Sequence, residues 1–245
     1  MSDAPDSPST SHFVTTHWSA VVRAGRTDDA AAHQALSELC QTYWFPLYAF
    51  IRRQGRNPLD AEDLTQAFFG RLLDKNYVAA ADQEKGRFRA FLLSALKAFM
   101  ANEWDRQHAG KRGGFQAHVA IDQALAESRF DPNLAHQLQP DVLFERQWAV
   151  TLLERVMSEL EREYTDTGRA RLFESLRGCI GKAPDAQPYA QIAQELGLTE
   201  AAVKTAVHRL RLRYREILRG EIAKTVATPE EVETELRHLF ATFAQ

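Results

Sequence analysis

The side chains of this chain that could do chemistry are charged groups in short clusters, and none of these clusters has the spacing of a catalytic or metal site. His12, His17 and His33 stand outside any HExxH pattern, and the two cysteines, Cys40 and Cys179, are too few for a disulfide framework or a metal site of their own. The sequence also lacks a nucleophile elbow, a phosphate-binding glycine loop and a CxxC pair. We therefore expect a protein that is not an enzyme and that uses no metal and no cofactor.

The charges are segregated along the chain. The formal net charge is only −3 over 245 residues, yet residues 60–84 sum to −4 and residues 85–112 sum to +5. Residues 204–215 contain five cations and no acid. Basic blocks separated by acidic ones are typical of proteins that contact nucleic acid at one surface and a protein at another. The pattern predicts two DNA contacts and at least one basic protein partner.

The hydrophobic pattern predicts an all-α fold. Gly and Pro are few, at 12 and 9, and alternating Val/Ile/Thr runs are missing, which argues against a sandwich or a barrel. Weak periodicity around Asp131-Pro132 and Gln139-Pro140 indicates a flexible linker between two small helical domains. The predicted segments are a partly disordered N-terminal arm, a first domain, the linker, a second domain and a C-terminal helical extension, over residues 1–27, 28–114, 115–143, 144–225 and 226–245.

Patterns that direct a protein into a membrane are missing from the sequence. The first residues, MSDAPDSPSTSH, are acidic and polar where a signal peptide has cations followed by an apolar core. No apolar stretch approaches the roughly 20 residues of a membrane span. We expect a cytoplasmic protein without membrane insertion.

An acidic helix is predicted over residues 60–73, DAEDLTQAFFGRLL. Asp60 is a suitable N-cap, and Leu64, Phe68 and Leu72 have the spacing to pack inward. An acidic stripe of this kind is most often a solvated helix face, and it can also bind a partner. The side chains left for a partner are Asp60, Glu62, Asp63 and Gln66.

A second helix, over residues 86–112, interleaves aromatic and basic side chains. Most of the aromatics must lie in a core, but a basic surface with one or two aromatics at its rim also binds unstacked bases. Solvated cations and a nucleic-acid surface are therefore both open interpretations of this pattern. The candidate nucleic-acid contacts are Arg87, Arg89, Lys97, Trp104, Arg106, Lys111 and Arg112.

The strongest local pattern is a helix-turn-helix over residues 189–218. Gly197 permits the left-handed backbone of a tight turn, Leu198 is predicted to plug that turn, and Thr199 is predicted to cap the next helix. One face of that helix is apolar, with Val203, Val207, Leu210, Tyr214 and Ile217 at helical spacing. The exposed side predicts DNA contacts through Lys204, Thr205, His208, Arg209 and Arg211. The other interpretation of the pattern is an amphipathic helix pair with a solvated basic face.

The order of these three patterns resembles that of an ECF-type (extracytoplasmic function) sigma factor of bacterial RNA polymerase, in the sigma-70 family. The resemblance covers roughly residues 28–112, as region 2, and 144–222, as region 4, and leaves no room for a region 3 domain between them. It implies that the acidic helix docks on the clamp helices of the polymerase β′ subunit and that the β flap is a further polymerase contact. It also implies that residues 87–112 hold and melt the −10 element and that the helix-turn-helix reads the −35 element.

Two positions depart from the family pattern. Ala67 stands where the family often has another acid, and Lys97-Ala98 stands where it often has Arg-Asn. Thr65 lies near the missing acid, so phosphorylation by a Ser/Thr kinase is one candidate form of regulation, because a phosphate adds about −1.5 to −2 charges to the helix. An unmodified surface or capping threonine is the other interpretation, and an anti-sigma factor is a second candidate regulator.

The C-terminal helix has a clear predicted start. Thr228 would be its N-cap, Pro229 its first residue and Glu231 the partner in a capping box. Its apolar stripe must be buried somewhere, and one hypothesis folds it back so that its acids mask the basic face of the helix-turn-helix.

The alternative function is a transcription repressor or activator with an N-terminal helical sensor domain and the same helix-turn-helix. Such a protein would bind DNA without polymerase, usually as a dimer on a palindromic site.

Overall fold

The computed structural model describes residues 30–72, 87–108, 123–182, 189–226 and 228–244, and it describes side chains from residue 41 onward apart from 104–108 and 123. All regular elements in these ranges are helical, which confirms the all-α prediction. Short 3-10 turns lie at Arg177–Cys179 and Pro229–Glu231. In chain order the α-helices of these ranges are α1 (Ala30–Arg53), α2 (Pro58–Leu72), α3 (Phe88–His108), α4 (Gln123–Arg129), α5 (Pro132–Gln137), α6 (Pro140–Asp166), α7 (Ala170–Leu176), α8 (Tyr189–Leu196), α9 (Glu200–Ala223) and α10 (Val232–Ala241).

The N-cap of helix α2 lies three residues before the predicted one. Asn57, not Asp60, is the N-cap, because the Asn57 Oδ1 accepts a hydrogen bond from the Asp60 backbone N–H at 2.9 Å. The Asn57 Nδ2 in turn donates to the Asp60 carboxylate at 2.9 Å, and this bond holds the Asn57 side chain in its capping position. Pro58 occupies the first helical position, where a missing N–H breaks no hydrogen bond.

A first core forms where α1, α2 and α3 meet the N-terminal half of α6, and Leu218 and Ile222 of α9 and Leu239 of α10 are buried in it as well. Aromatic side chains dominate it, and two pairs pack at an angle: Tyr43 lies 5.6 Å from Phe88 and Phe68 lies 5.7 Å from Phe99, between ring centroids. Edge-to-face and tilted arrangements of this kind are favoured over stacked faces by the charge distribution of the rings. The aromatic residues of α1 and α3 are therefore mainly core residues, as the helical spacing predicts.

Part of the predicted linker is folded onto this core. Helices α4 and α5 lie inside residues 115–143, and Ala126 of α4 is fully buried. Glu127 accepts hydrogen bonds from Arg52 at 2.9 Å and 3.1 Å and from the Tyr48 hydroxyl, while Asp131 caps α5. The structure thus differs from the predicted flexible linker from residue 123 onward, since both helices are too short to show clear periodicity. Residues 115–122 lie outside the described residues.

Replacement of Glu127 by glutamine is expected to lower the free energy of unfolding by about 1 kcal/mol at neutral pH, since the pair with Arg52 is partly exposed. The pKa of Glu127 lies below its ordinary value of 4.5, chiefly because Arg52 donates hydrogen bonds to the carboxylate. A carboxylate with a lowered pKa stabilises the fold above its ordinary pKa, and this contribution is lost as the pH falls. Urea denaturation at several pH values should show the gap between parent and variant close on acidification. Glu161→Gln, an exposed position on α6, is the control, and a gap that persists in acid would contradict the prediction.

Helix α6 contributes to two cores. Trp148 and Leu152 are buried in the first core, whereas Leu160 and Tyr164 are buried in a second core with α7, α8 and α9. The predicted boundary between residues 143 and 144 therefore falls within a continuous helix. The division of the chain into two domains stays a prediction.

The C-terminal helix α10 packs against α6 and α9 and buries Leu239 completely. Its predicted capping box does not form: the Thr228 side chain makes no capping hydrogen bond, because the chain enters α10 through a 3-10 turn in which the Glu231 N–H binds the Thr228 carbonyl at 3.2 Å. The acids of α10 do not cover the predicted DNA-contacting face of α9 either. Glu233 pairs with Arg219 near the C-terminal end of α9, and Glu235 lies against α3. Among the helices described, none is long and apolar enough to cross a membrane.

Candidate nucleic-acid interface

The helix-turn-helix has the turn geometry that the sequence predicts. Gly197 has a positive φ of 65°, and the Leu198 N–H binds the Ala193 carbonyl at 2.9 Å while the Gly197 N–H binds that of Gln194 at 3.3 Å. This pair of hydrogen bonds is a Schellman motif, which requires a left-handed residue at the glycine position. The Thr199 hydroxyl then accepts a hydrogen bond from the Ala202 N–H at 3.2 Å and caps α9. Both predictions, the left-handed Gly197 and the Thr199 cap, are confirmed.

Leu198 does not plug the turn. Its side chain is 44% exposed, so that prediction is wrong. The space beneath the turn is already filled by buried side chains of α8 and α9 that pack on α6 and α7. These side chains are Ile192, Ala193, Val203, Val207 and Leu210.

The first turns of α9 present an exposed polar and basic face. Lys204, Thr205, His208 and Arg209 are all exposed, on the side of the helix away from its buried Val203 and Val207. The Thr205 hydroxyl donates to the Ala201 carbonyl at 3.0 Å, within its own helix. The structure therefore brings four of the five predicted −35 residues together on one free surface.

Arg211 is placed differently. Its guanidinium donates to the backbone carbonyls of Cys179 at 2.7 Å and Lys182 at 2.6 Å, so it fastens α9 to the 3-10 turn. The prediction of Arg211 as a −35 contact is corrected on this ground, since its Nε and Nη2 atoms already donate to backbone carbonyls. A sequence pattern could not reveal this, because the acceptors are backbone carbonyls brought close by tertiary packing.

The acidic residues of α2 lie mainly at the surface. Asp60 and Asp63 are exposed, and Glu62 and Gln66 are half-buried with a hydrogen bond of 3.1 Å between their side chains. These four predicted polymerase contacts lie on one face of the short helix α2. Phe68 and Phe69 lie on the opposite face and are buried in the core. The arrangement leaves carboxylates available to a cationic partner.

Thr65 is not part of this surface. Its side chain is fully buried, and its hydroxyl donates to the Ala61 carbonyl at 2.6 Å. A kinase cannot reach the hydroxyl while α2 is folded, which argues against the predicted phosphorylation site. The other interpretation, a surface or capping threonine, is wrong as well, because Thr65 is a core residue. The spacing contains the signal, since Thr65 falls on the same helical face as Ala61, Phe68 and Leu72.

The predicted −10 cations are paired with carboxylates of the C-terminal half of the chain. The Arg87 Nε lies 2.8 Å from the Glu235 carboxylate, and the Lys97 Nζ lies 2.7 Å from that of Asp141. Arg89 forms ion pairs with both Glu145, at 2.5 Å, and Glu235. These three are the predicted −10 cations whose side chains the structure describes. The side chains of Trp104 and Arg106 are not among those that the structure describes. Lys111 and Arg112 lie outside the described residues.

Arg89 is a core residue rather than a surface cation. Only 2% of it is exposed, and its guanidinium lies 4.2 Å from the ring centroid of Trp148. The pKa of Arg89 lies below its ordinary value because burial penalises the charged form, and Glu145 offsets only part of that penalty. The prediction of Arg89 as a free nucleic-acid contact is corrected for this conformation.

Comparisons of the chain with protein-family models, with curated proteins and with solved structures give no match. The function must therefore be inferred from three surfaces: the exposed basic face of α9, the acidic face of α2 and the ion-paired cations of α3.

Proposed function

We propose that the protein is an alternative sigma factor that directs RNA polymerase core to specific promoters. The observation that carries the proposal is the helix-turn-helix of α8 and α9, in which a capped, exposed and cationic first half of α9 stands opposite a fully packed face. A helix of this kind enters the major groove with its N-terminal residues toward base edges. Lys204, His208 and Arg209 supply donors for guanine and for phosphate.

The acidic face of α2 supports a polymerase partner rather than a DNA-binding protein that acts alone. Asp60 and Asp63 are exposed on a helix remote in sequence from the helix-turn-helix, and carboxylates repel nucleic acid. A cationic protein surface is the complementary partner. Binding to polymerase would then make the second DNA contact intramolecular, so that two modest affinities combine on one promoter.

In vitro transcription with purified core polymerase, free of any other specificity subunit, tests the proposal. Fragments of genomic DNA serve as templates, and the start sites are mapped. We expect the chain to bind the core enzyme and to start transcripts at a limited set of sites that share two sequence elements. A chain that does not co-purify with the core enzyme, yet binds a palindromic duplex as a dimer, would refute the sigma factor and favour the repressor or activator.

Arg209→Ala is expected to weaken binding to a promoter fragment by about 1–3 kcal/mol if Arg209 contacts a base edge. Fluorescence anisotropy with the promoter fragment and with a random duplex, at two salt concentrations, measures the effect. Arg213→Ala is the matched control on the same helix, because the Arg213 guanidinium is already paired with Glu163 at 2.5 Å and with Glu216 at 2.9 Å. An equal loss on both duplexes, with a flatter salt dependence, would assign Arg209 to a phosphate instead.

A further inference from the structure

We propose that α10 is an intrachain substitute for nucleic acid, in which the Glu235 carboxylate occupies a phosphate-binding site formed by Arg87 and Arg89. Single-stranded DNA is the ligand that displaces it. The identity of this ligand rests on the proposed function, whereas the closed contact itself is an observation of the structure.

Glu235 is a buried carboxylate beside two arginines. It is 1% exposed, and its carboxylate lies 2.8 Å from the Arg87 Nε and forms an ion pair with Arg89. A buried ion pair is weak evidence for stability, because the loss of hydration of both charges offsets much of their attraction. Neither oxygen of the Glu235 carboxylate accepts a hydrogen bond of good geometry, so the attraction of Arg87 and Arg89 for it is that of opposite charges. Two guanidinium groups beside one anion can equally serve a phosphate.

The charge balance of this cluster depends on α10. With α10 docked, Arg87 and Arg89 face two carboxylates, those of Glu235 and Glu145. With α10 removed, Arg89 keeps its pair with Glu145, but Arg87 loses the Glu235 carboxylate. Two arginines and one carboxylate then remain, so the site has a net positive charge. The indole of Trp148, 4.2 Å beneath the Arg89 guanidinium, then remains as its apolar support. The vacated site is therefore suited to an anion.

Lys97, the third predicted −10 cation whose side chain the structure describes, also has a carboxylate partner. Lys97 pairs with Asp141 at the start of α6, although both side chains are about half exposed. Acids from α6 and α10 thus neutralise Arg87, Arg89 and Lys97 together. The pair of Lys97 with α6 would remain when α10 leaves, so the gain of positive charge is confined to Arg87 and Arg89.

Helix α10 is held by a small set of side chains: Leu239 and Glu235 are buried, and Val232 and Leu236 pack partly buried against the first core. It has ten residues, too few for a stable isolated helix in water, so its structure depends on its contacts. Leu239 and Glu235 are its fully buried side chains, while Phe240 is 56% exposed. A DNA strand that offers several phosphates can compete with a single carboxylate on such a helix.

Glu235→Gln in the full-length protein tests the proposal, with Glu233→Gln as the control. Glu233 lies on the same helix and pairs with Arg219, but it is 59% exposed, and its replacement changes the net charge equally. We expect Glu235→Gln to bind a fluorescein-labelled oligothymidylate at least about tenfold more tightly than the parent. Glu233→Gln should stay within about twofold of the parent, because exposed pairs contribute little. Addition of Arg87→Gln to Glu235→Gln should abolish the gain.

Hydrogen–deuterium exchange supplies the conformational readout. Exchange of α10 should rise in Glu235→Gln without DNA, and in the parent when the oligonucleotide binds. Deletion of residues 228–245 should give the same gain in affinity if the Glu235→Gln protein folds poorly. Faster exchange with unchanged affinity would overturn the proposal and make α10 a stabilising element only, and so would the absence of oligonucleotide binding by every variant. Failure of the core-polymerase assay together with a gain for Glu235→Gln would refute the sigma factor and keep the α10 contact.

Discussion

Trp148→Ala is expected to lower the free energy of unfolding by about 3–5 kcal/mol, the range seen when a large aromatic is removed from a packed core. Trp148 is fully buried in α6, and the Arg89 guanidinium lies over its ring. The variant loses the apolar contacts of the indole and leaves a cavity beneath a buried charge. Since whole domains are stable by only about 5–15 kcal/mol, a large part of the total is at stake.

Urea denaturation followed by circular dichroism measures this loss without dependence on tryptophan fluorescence. Leu212→Ala on α9 is the control, because Leu212 is 43% exposed and its truncation should change the stability by less than about 0.5 kcal/mol. We expect the Trp148→Ala transition to move to lower urea as a single step, because α6 belongs to both cores. A loss below about 1 kcal/mol would mean that the two cores do not depend on α6 as described.

Combined replacement of Asp60, Glu62 and Asp63 by their amides is expected to reduce transcription with core polymerase by at least about tenfold, the effect of about 1.4 kcal/mol of lost binding free energy. The amides preserve side-chain shape, and Asn57 can still cap α2 through the Asp60 backbone N–H. Only the negative charge that attracts a cationic partner is removed. Affinity for promoter duplex in the absence of polymerase should not fall, since α9 is unchanged.

A second triple variant controls for the change in net charge. Glu154, Glu161 and Glu174 are exposed on α6 and α7, and their conversion to glutamine removes the same three charges from another surface. Run-off transcription and a pull-down with core polymerase should distinguish the two proteins. If both triple variants transcribe like the parent, α2 is a solvated acidic helix and the proposed polymerase contact through it is refuted.

Features that depend on neighbours along the chain were predictable from the sequence. The left-handed Gly197 and the Thr199 cap are fixed by hydrogen bonds between residues three to five positions apart, and the sequence predicts both. The buried face of α9 follows from helical spacing in the same way. Local chemistry and helical spacing therefore give the helix-turn-helix almost completely.

Features that depend on distant partners were not predictable in this way. Arg89 has the residue type of a DNA contact, and only the approach of Glu145 and Glu235 from later helices makes it a core residue. Helix α4 is short, and the burial of Ala126 becomes visible only when it packs on the first core. Thr65 is a different case, because its spacing from Phe68 and Leu72 indicated burial while its acidic neighbours suggested a surface.

The long α6 connects the first core to the second. Its 27 residues span about 40 Å at 1.5 Å per residue, with Trp148 anchored near one end and Tyr164 near the other. Helix α9 bridges the same two cores, with Val203 and Val207 in the second core and Leu218 and Ile222 in the first. Two helices that each enter both cores tie the cores together, so the helix-turn-helix and the aromatic cluster should unfold as one cooperative unit.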